Sequence, residues 1–255
     1  LVLTITPLDN ASFAYSASTF CVTGSDPAPT ITGLPGGIFS APPQVVINSA
    51  TGVVNLSAST LGGPYAITYT TNGSCPNSSI FNISITTSPD ATFSYSDPFC
   101  ETDLPNPFPT VVNAGVFSAL PVGLVFVSAI TGEINLAASA PGTYGVANYI
   151  AAGGGCSADT AFDIVIIDAA PTAGAGSNAT LCESDTLFLS GSIGGSATSG
   201  TWTPSGDGIF DNATSLTANY ISGVNDVSSG SATLTLTTDN PAGSCNAVSD
   251  FLVLT

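Results

Sequence analysis

The sequence predicts an all-β chain of tandem immunoglobulin-like β-sandwich modules, each closed by one disulfide. Three observations predict it. The 255 residues are rich in Ser, Thr, Val and Ala, with 27 Gly and 18 Pro, a composition of many short strands and turns. Six cysteines fall in a long–short rhythm, with separations of 54, 25, 56, 26 and 63. Much of the first third recurs in the second at an offset of 78 to 81. Helix formers are scarce: Lys, Arg and Met are absent, and only Glu101, Glu133 and Glu183 represent Glu.

Taken in order, residues 1–7 read as the last strand of a preceding module, because Leu1-Val-Leu-Thr4 is repeated as Leu252-Val-Leu-Thr255. The first full module spans 8–88. Its β runs are Ser12–Tyr15, Thr30–Gly33, Gly37–Ser40, Gln44–Ile47, Val53–Leu56, Tyr65–Thr70 and Ile80–Ile85, with Thr51-Gly52 as a hairpin turn. The second module, 89–168, is a copy. Ala11-Ser-Phe-Ala-Tyr-Ser16 returns as Ala91-Thr-Phe-Ser-Tyr-Ser96, and Thr51-Gly-Val-Val-Asn-Leu56 returns as Thr131-Gly-Glu-Ile-Asn-Leu136. The third, 169–255, is a different subtype. It holds the only Trp, Trp202, and a strand, Ser231–Thr238, in which small or apolar residues alternate with Thr at period two.

The cysteine rhythm assigns one pair to each module: Cys21–Cys75, Cys100–Cys156 and Cys182–Cys245. The second cysteine of each pair sits just ahead of a final strand, so the bond would tie an early segment to that region. Metal binding is the competing reading, but it calls for close Cys-x-x-Cys spacing or histidines, and both are missing. Disulfides imply an oxidising, extracellular compartment.

Charge narrows function further. There is no Lys, Arg or His against 17 acidic residues, a net charge of −17. Nucleic acid is excluded as a partner, because its binding rests on cations neutralising phosphates. An anionic membrane surface would repel the chain. The longest apolar-rich patch, Val122 to Ile130, is strand-sized, so direct membrane insertion is not expected. Acids without cationic partners should repel one another on folding, which would raise their pKa values and make the protein more stable as pH drops.

The same absence removes imidazole bases and amine nucleophiles, so no catalytic residue and no cofactor-binding residue is assigned. Paired carboxylates for glycoside chemistry could come from Asp207 and Asp211, or from Asp97, Glu101 and Asp103; all read first as solvated turn residues. Calcium is the one cofactor considered. Asp207 and Asp211 are its weak candidate ligands, with Asp90 and Asp168 at the module junctions. Trp202 reads first as an ordinary core residue; the alternative is an adhesive surface that binds surface glycans or a substratum through Tyr15, Tyr95 or Trp202.

The Thr-Gly-x-[Val/Ile]-Asn-Leu segment with its following Gly63-Pro-Tyr65 or Gly142-Thr-Tyr144 resembles repeats in very long surface proteins of the Bacteroidota. Gly200-Thr-Trp-Thr-Pro-Ser-Gly-Asp-Gly-Ile-Phe210 and Gly243-Ser-Cys245 resemble a companion repeat of those proteins. They include gliding-motility adhesins of the SprB type, exported by the type IX secretion system. The resemblance implies an outer-membrane-attached or secreted fibre without shared catalytic residues. Asp159-Thr-Ala161 and Asp185-Thr-Leu187 also fit an O-glycosylation pattern of that phylum, at Thr160 and Thr186.

The expected function is therefore a structural repeat segment of an extracellular fibre or adhesin stalk, whose partners are neighbouring modules of the same long chain. A lectin-like module and a subunit of a laterally assembling filament are the alternatives. One consequence is direct. Trypsin has no Lys or Arg to cleave after, so the reduced, unfolded chain should run uncut on a gel after overnight digestion; any tryptic fragment would contradict this.

Overall fold

The computed structural model describes residue 3, residues 5–183 and residues 185–255. The strand expected over 1–7 falls partly on Leu1, Val2 and Thr4, which lie outside the described residues; Leu3 and residues 5–7 belong to no strand.

In the first repeat the strands are β1 (Phe13–Ala14), β2 (Thr19–Cys21), β3 (Thr30–Ile31), β4 (Ile38–Ser40), β5 (Val46–Ile47), β6 (Val54–Asn55), β7 (Gly62–Thr70) and β8 (Ser78–Thr86). All seven expected runs have a counterpart, and β2 is the one that sequence reading missed. The main sheet has the order β2-β8-β7-β4, while β1-β3 and β5-β6 form small sheets. Phe39, Ile67, Tyr69, Ile83 and Ile85 of the main sheet meet Tyr15, Val54 and Leu56 in one core, with Phe13, Ile31 and Ile47 packed against it. Alternate residues of β7 and β8 supply that core, as a sheet with one buried face requires.

The second repeat follows the same plan: β9 (Phe93–Ser94), β10 (Phe99–Cys100), β11 (Thr110–Val111), β12 (Val116–Leu120), β13 (Phe126–Ser128), β14 (Glu133–Ile134), β15 (Gly142–Ile150) and β16 (Asp159–Asp168). Its main sheet, β10-β16-β15-β12, repeats the earlier order strand for strand. The remainder contains β17 (Thr172–Gly174), β18 (Thr186–Phe188), β19 (Ser192–Gly194), β20 (Gly200–Pro204), β21 (Ile209–Phe210), β22 (Asn219–Ile221), α1 (Val224–Ser229), β23 (Ala232–Thr238) and β24 (Ser249–Leu254). Here β20-β23-β24 faces β18-β22-β21 and β17-β19 across a core of Trp202, Tyr220, Leu234, Leu236 and Leu252. The period-two reading of β23 holds: Ala232, Leu234, Leu236 and Thr238 are buried. The layers are those of immunoglobulin-like sandwiches.

By its contacts the chain forms two compact units. One comprises Leu1–Thr92, Val112–Gly115 and Asn148–Ala161; the other comprises Phe93–Val111, Val116–Ala147 and Phe162–Thr255. The second sequence repeat is thus shared between them.

Two local devices recur in both repeats. Gly52 and Gly132 each turn a hairpin at φ +73°, a backbone region that favours glycine. A Cβ on Gly52 would come within 2.6 Å of Pro29. The second device is a buried tyrosine. The Tyr15 and Tyr95 hydroxyls donate to the carbonyl oxygens of Gly52 and Gly132, each at 2.5 Å. Burial pushes the Tyr15 phenol up to about 12.

Removing that donor leaves a turn carbonyl without its partner in a dry site. Tyr15→Phe should therefore cost about 1–2 kcal/mol in denaturant unfolding. Tyr65→Phe, whose hydroxyl bonds only at the surface, should stay within about 0.5 kcal/mol. Equal losses in the two variants would remove the special role given to the buried hydroxyl.

Candidate functional site

The expected disulfides do not form. Cys21 bonds Cys156 and Cys100 bonds Cys245, while Cys75 and Cys182 are unpaired. The chain thus holds two disulfides rather than one per module, and each joins successive repeats. Strand register gives the reason. β2 runs parallel to β8 with Cys21 level with Thr86, the last residue of that strand. Cys75 lies in the turn before its first residue. Nine strand residues therefore separate them, about 30 Å, where a disulfide needs Cα atoms within about 7 Å. Cys100 likewise stands level with Asp168, at the far end of the strand that Cys156 precedes. Cys182 and Cys245 are placed at opposite ends of β24 by the parallel pairing of Ala179 with Leu254.

Each compact unit holds one joint. In the first, the Cα atoms of Cys21 and Cys156 are 4.7 Å apart and both residues are buried. The Thr86 hydroxyl donates to the Gly154 carbonyl at 2.6 Å, and Cys156 Sγ lies 3.2 Å from the Thr87 carbonyl oxygen. Gly155, at φ +79°, lets the hairpin approach β2: a Cβ there would fall 2.6 Å from the Thr19 carbonyl oxygen. The Ala91 N–H donates to the Asp159 carboxylate at 2.7 Å.

In the second unit, Cys100 and Cys245 have Cα atoms 4.9 Å apart. The Asp168 carboxylate accepts from the Ser244 N–H at 2.7 Å and from its hydroxyl at 3.0 Å. Glu101 donates its N–H to the Asp168 carbonyl, and its carboxylate accepts from the Ala170 N–H at 2.8 Å. Cys245 Sγ lies 3.6 Å from the Asp168 carbonyl oxygen. The chain-entropy model gives about 5 kcal/mol for a loop of the 135-residue separation between Cys21 and Cys156. The joints are thus covalent at their centres and hydrogen-bonded around them.

The remaining candidates are scattered. Asp207 accepts from the Asn225 and Asp226 N–H groups and so caps α1, while Asp211 accepts from the Asn219 backbone and side-chain N–H groups. Asp90 accepts from Thr92. Asp97 accepts from Ile166, and Asp103 from Cys100. Among the described residues no three acidic or cysteine side chains are grouped as metal ligands. Thr160 is exposed on β16, and Thr186 is half-buried on β18.

The core position expected first for Trp202 is what the structure shows, at 1% exposure, while the alternative of an adhesive surface built on Tyr15, Tyr95 or Trp202 is overturned, the two tyrosines being 5% and 7% exposed. The tyrosines are committed to their turns, and Trp202 packs in the core, with its ring 6.3 Å from that of Phe210.

Sequence reading also missed Asp226, a buried carboxylate. It accepts from the Tyr220 hydroxyl at 2.6 Å and from the N–H groups of Gly223 and Gly208 at 3.0 and 3.1 Å. Burial pushes this carboxyl up, but the Tyr220 hydroxyl and the backbone donors outweigh it and hold it below the ordinary carboxylate value. Asp90, Asp211 and Asp239 are lowered too, through hydrogen bonds from Thr92, Asn219 and Thr198 respectively. The expected upward shift from mutual repulsion is therefore reversed at these four acids, because backbone amides and hydroxyls take the place of the missing cations.

No family model matches the chain, and no curated protein matches it. Among solved structures, it is similar to human CDH23 EC21-23, at 13% identity, covering 94% of this chain and 95% of that one, with a TM-score of 0.34. Drosophila OTK extracellular domains 3-5 are 14% identical over 83% of this chain and 77% of that one, with a TM-score of 0.35. The insect immune protein hemolin is 9% identical over 98% and 73%, with a TM-score of 0.38.

A carboxylate whose folded pKa is depressed contributes stability that is present above its unfolded pKa and lost as pH falls through the folded one. The melting temperature should hold between pH 7 and about pH 5 and fall below about pH 4. A melting temperature that rises on acidification below pH 4 would restore the repulsion-dominated view.

Proposed function

We propose that this chain is a non-catalytic structural segment of an extracellular adhesin-type fibre, of the kind found on Bacteroidota cell surfaces. Its three modules, 8–88, 89–168 and 169–255, act in series. The observation that carries this reading is the staggered pair of disulfides: the first repeat is bonded to the second and the second to the third, and none is closed on itself. A fold stabilised only for its own sake gains most of that stability, about 4 kcal/mol, from a bond within a module. A bond between modules fixes a junction and passes tension from one sandwich to the next. The lack of His, Lys and Arg removes the common nucleophile-activating groups, and the bonds suit an oxidising exterior.

The two bonds also overlap in sequence, so a pull on the ends travels through them. The covalent path runs from Cys21 to Cys156, back along the second repeat to Cys100, and across to Cys245. Single-molecule stretching of the oxidised chain should therefore reach only roughly a third of the contour length seen after reduction. Equal contour lengths in the two states would remove the mechanical role.

A further inference from the structure

The two unpaired cysteines are the counterparts of the bonded ones. Cys182-Glu-Ser-Asp185 repeats Cys100-Glu-Thr-Asp103, and Gly73-Ser-Cys75 repeats Gly243-Ser-Cys245. Their local geometry repeats as well. The Asp185 N–H donates to the Cys182 carbonyl at 3.1 Å, as Asp103 does to Cys100 at 3.0 Å. Cys75 Sγ lies 3.5 Å from the Thr6 carbonyl oxygen, as Cys245 Sγ lies 3.6 Å from that of Asp168. Cys182 is exposed and Cys75 is partly exposed, so both thiols are accessible.

Register gives each of them the place that one half of such a joint has. In the completed joint, Asp168 stands level with Cys100 and also touches Cys245. At the other end of the chain, Ala179 pairs with Leu254 and the Leu181 N–H donates to the Thr255 carbonyl. Cys182 is therefore level with the second residue beyond Thr255. Leu1-Val-Leu-Thr4 duplicates Leu252-Val-Leu-Thr255, and the second residue beyond that tetrad is Thr6. Thr6 is the residue whose carbonyl Cys75 touches. As Cys100 and Cys245 meet at Asp168, laying one tetrad on the other thus brings Cys182 and Cys75 together at Thr6. In that frame they are separated by about 144 residues, beside 135 and 145 in the two bonds that exist.

We propose that Cys182 of one copy of this chain forms a disulfide with Cys75 of the next, head to tail. The contact is heterologous, so it propagates into an open, covalently linked series rather than closing as a symmetric dimer. Each bond removes two protons and two electrons from two thiols. Oxidised glutathione accepts them and leaves as two molecules of reduced glutathione. Only one of the two identical tetrads can hold the shared strand position in the joined pair. The proposal goes beyond the mechanical reading above: the internal bonds could bear tension whether or not copies join.

The test uses the full chain with Cys75→Ser or Cys182→Ser, incubated with oxidised glutathione and run without reductant. Wild type should form a ladder of oligomers. Each variant alone should stay largely monomeric. An equimolar mixture should give a dimer band at least about tenfold stronger than either variant alone, and should stop there. Chymotryptic mass mapping of the dimer should find Cys182 joined to Cys75. Cys→Ala versions replace any serine variant that loses its β-sheet circular dichroism. Symmetric Cys75–Cys75 or Cys182–Cys182 dimers in similar yield, or no cross-link at all, would overturn the proposal. A fusion of residues 1–255 to residues 5–255, sharing one tetrad, decides the source of the partner. A Cys182–Cys75 bond in the fusion but none between separate chains would assign the joint to consecutive repeats of one polypeptide and refute association of copies.

Discussion

The length of the last strand in each repeat governs how this molecule is held together. A parallel strand near the start of the repeat, β2 or β10, brings its cysteine level with the end of that strand, while the other cysteine waits in the turn before it. Nine or ten extended residues keep the two sulfurs apart. Neither can find its partner at home, so each is left at an end of its own sandwich; Cys21 and Cys100 find theirs in the repeat that follows. The small residues around the sulfurs follow from the same demand. Gly155 and Gly243 admit backbone and carboxylate where a side chain would collide.

A second constraint is the lack of cations. In most proteins a buried or half-buried carboxylate finds Arg or Lys. Here the acids turn to backbone amides and hydroxyls: Asp207 caps α1, Asp168 holds Ser244, and Asp226 collects Tyr220 and two glycine amides. These bonds draw acidic side chains into the turns and junctions that need acceptors. The high negative charge and the ordered loops are thus compatible, and the carboxylates that looked like possible ligands or catalysts are occupied in local structure.

Much of the fold was legible because a sandwich writes itself in period-two patterns and turn residues. The alternation in Ala232–Thr238, the Thr51-Gly52 and Thr131-Gly132 turns and the copied blocks all mark real elements. β2 was missed because three residues, Thr19–Cys21, carry no periodicity; they are a strand only because β8 lies beside them. That omission also hid the true bonding. Cysteine spacing alone makes nearest neighbours look like partners, and only the parallel register of β2 shows that they face opposite ways. Tyr15 and Tyr95 illustrate the opposite difficulty. An aromatic side chain reads the same in a sequence whether it lines a binding surface or plugs a core, and only the packing separates the two.

The staggered bonds have a consequence for damage. Had each sandwich been closed on itself, a single hydrolysed peptide bond in the connecting segments, 76–99 or 157–181, would have parted the molecule. With Cys21 tied to Cys156 and Cys100 tied to Cys245, any one scission between residues 21 and 245 is bypassed by at least one sulfur bridge. Between residues 100 and 156 it is bypassed by both. A nicked copy therefore stays in one piece, the way overlapping bricks keep a wall standing when one cracks.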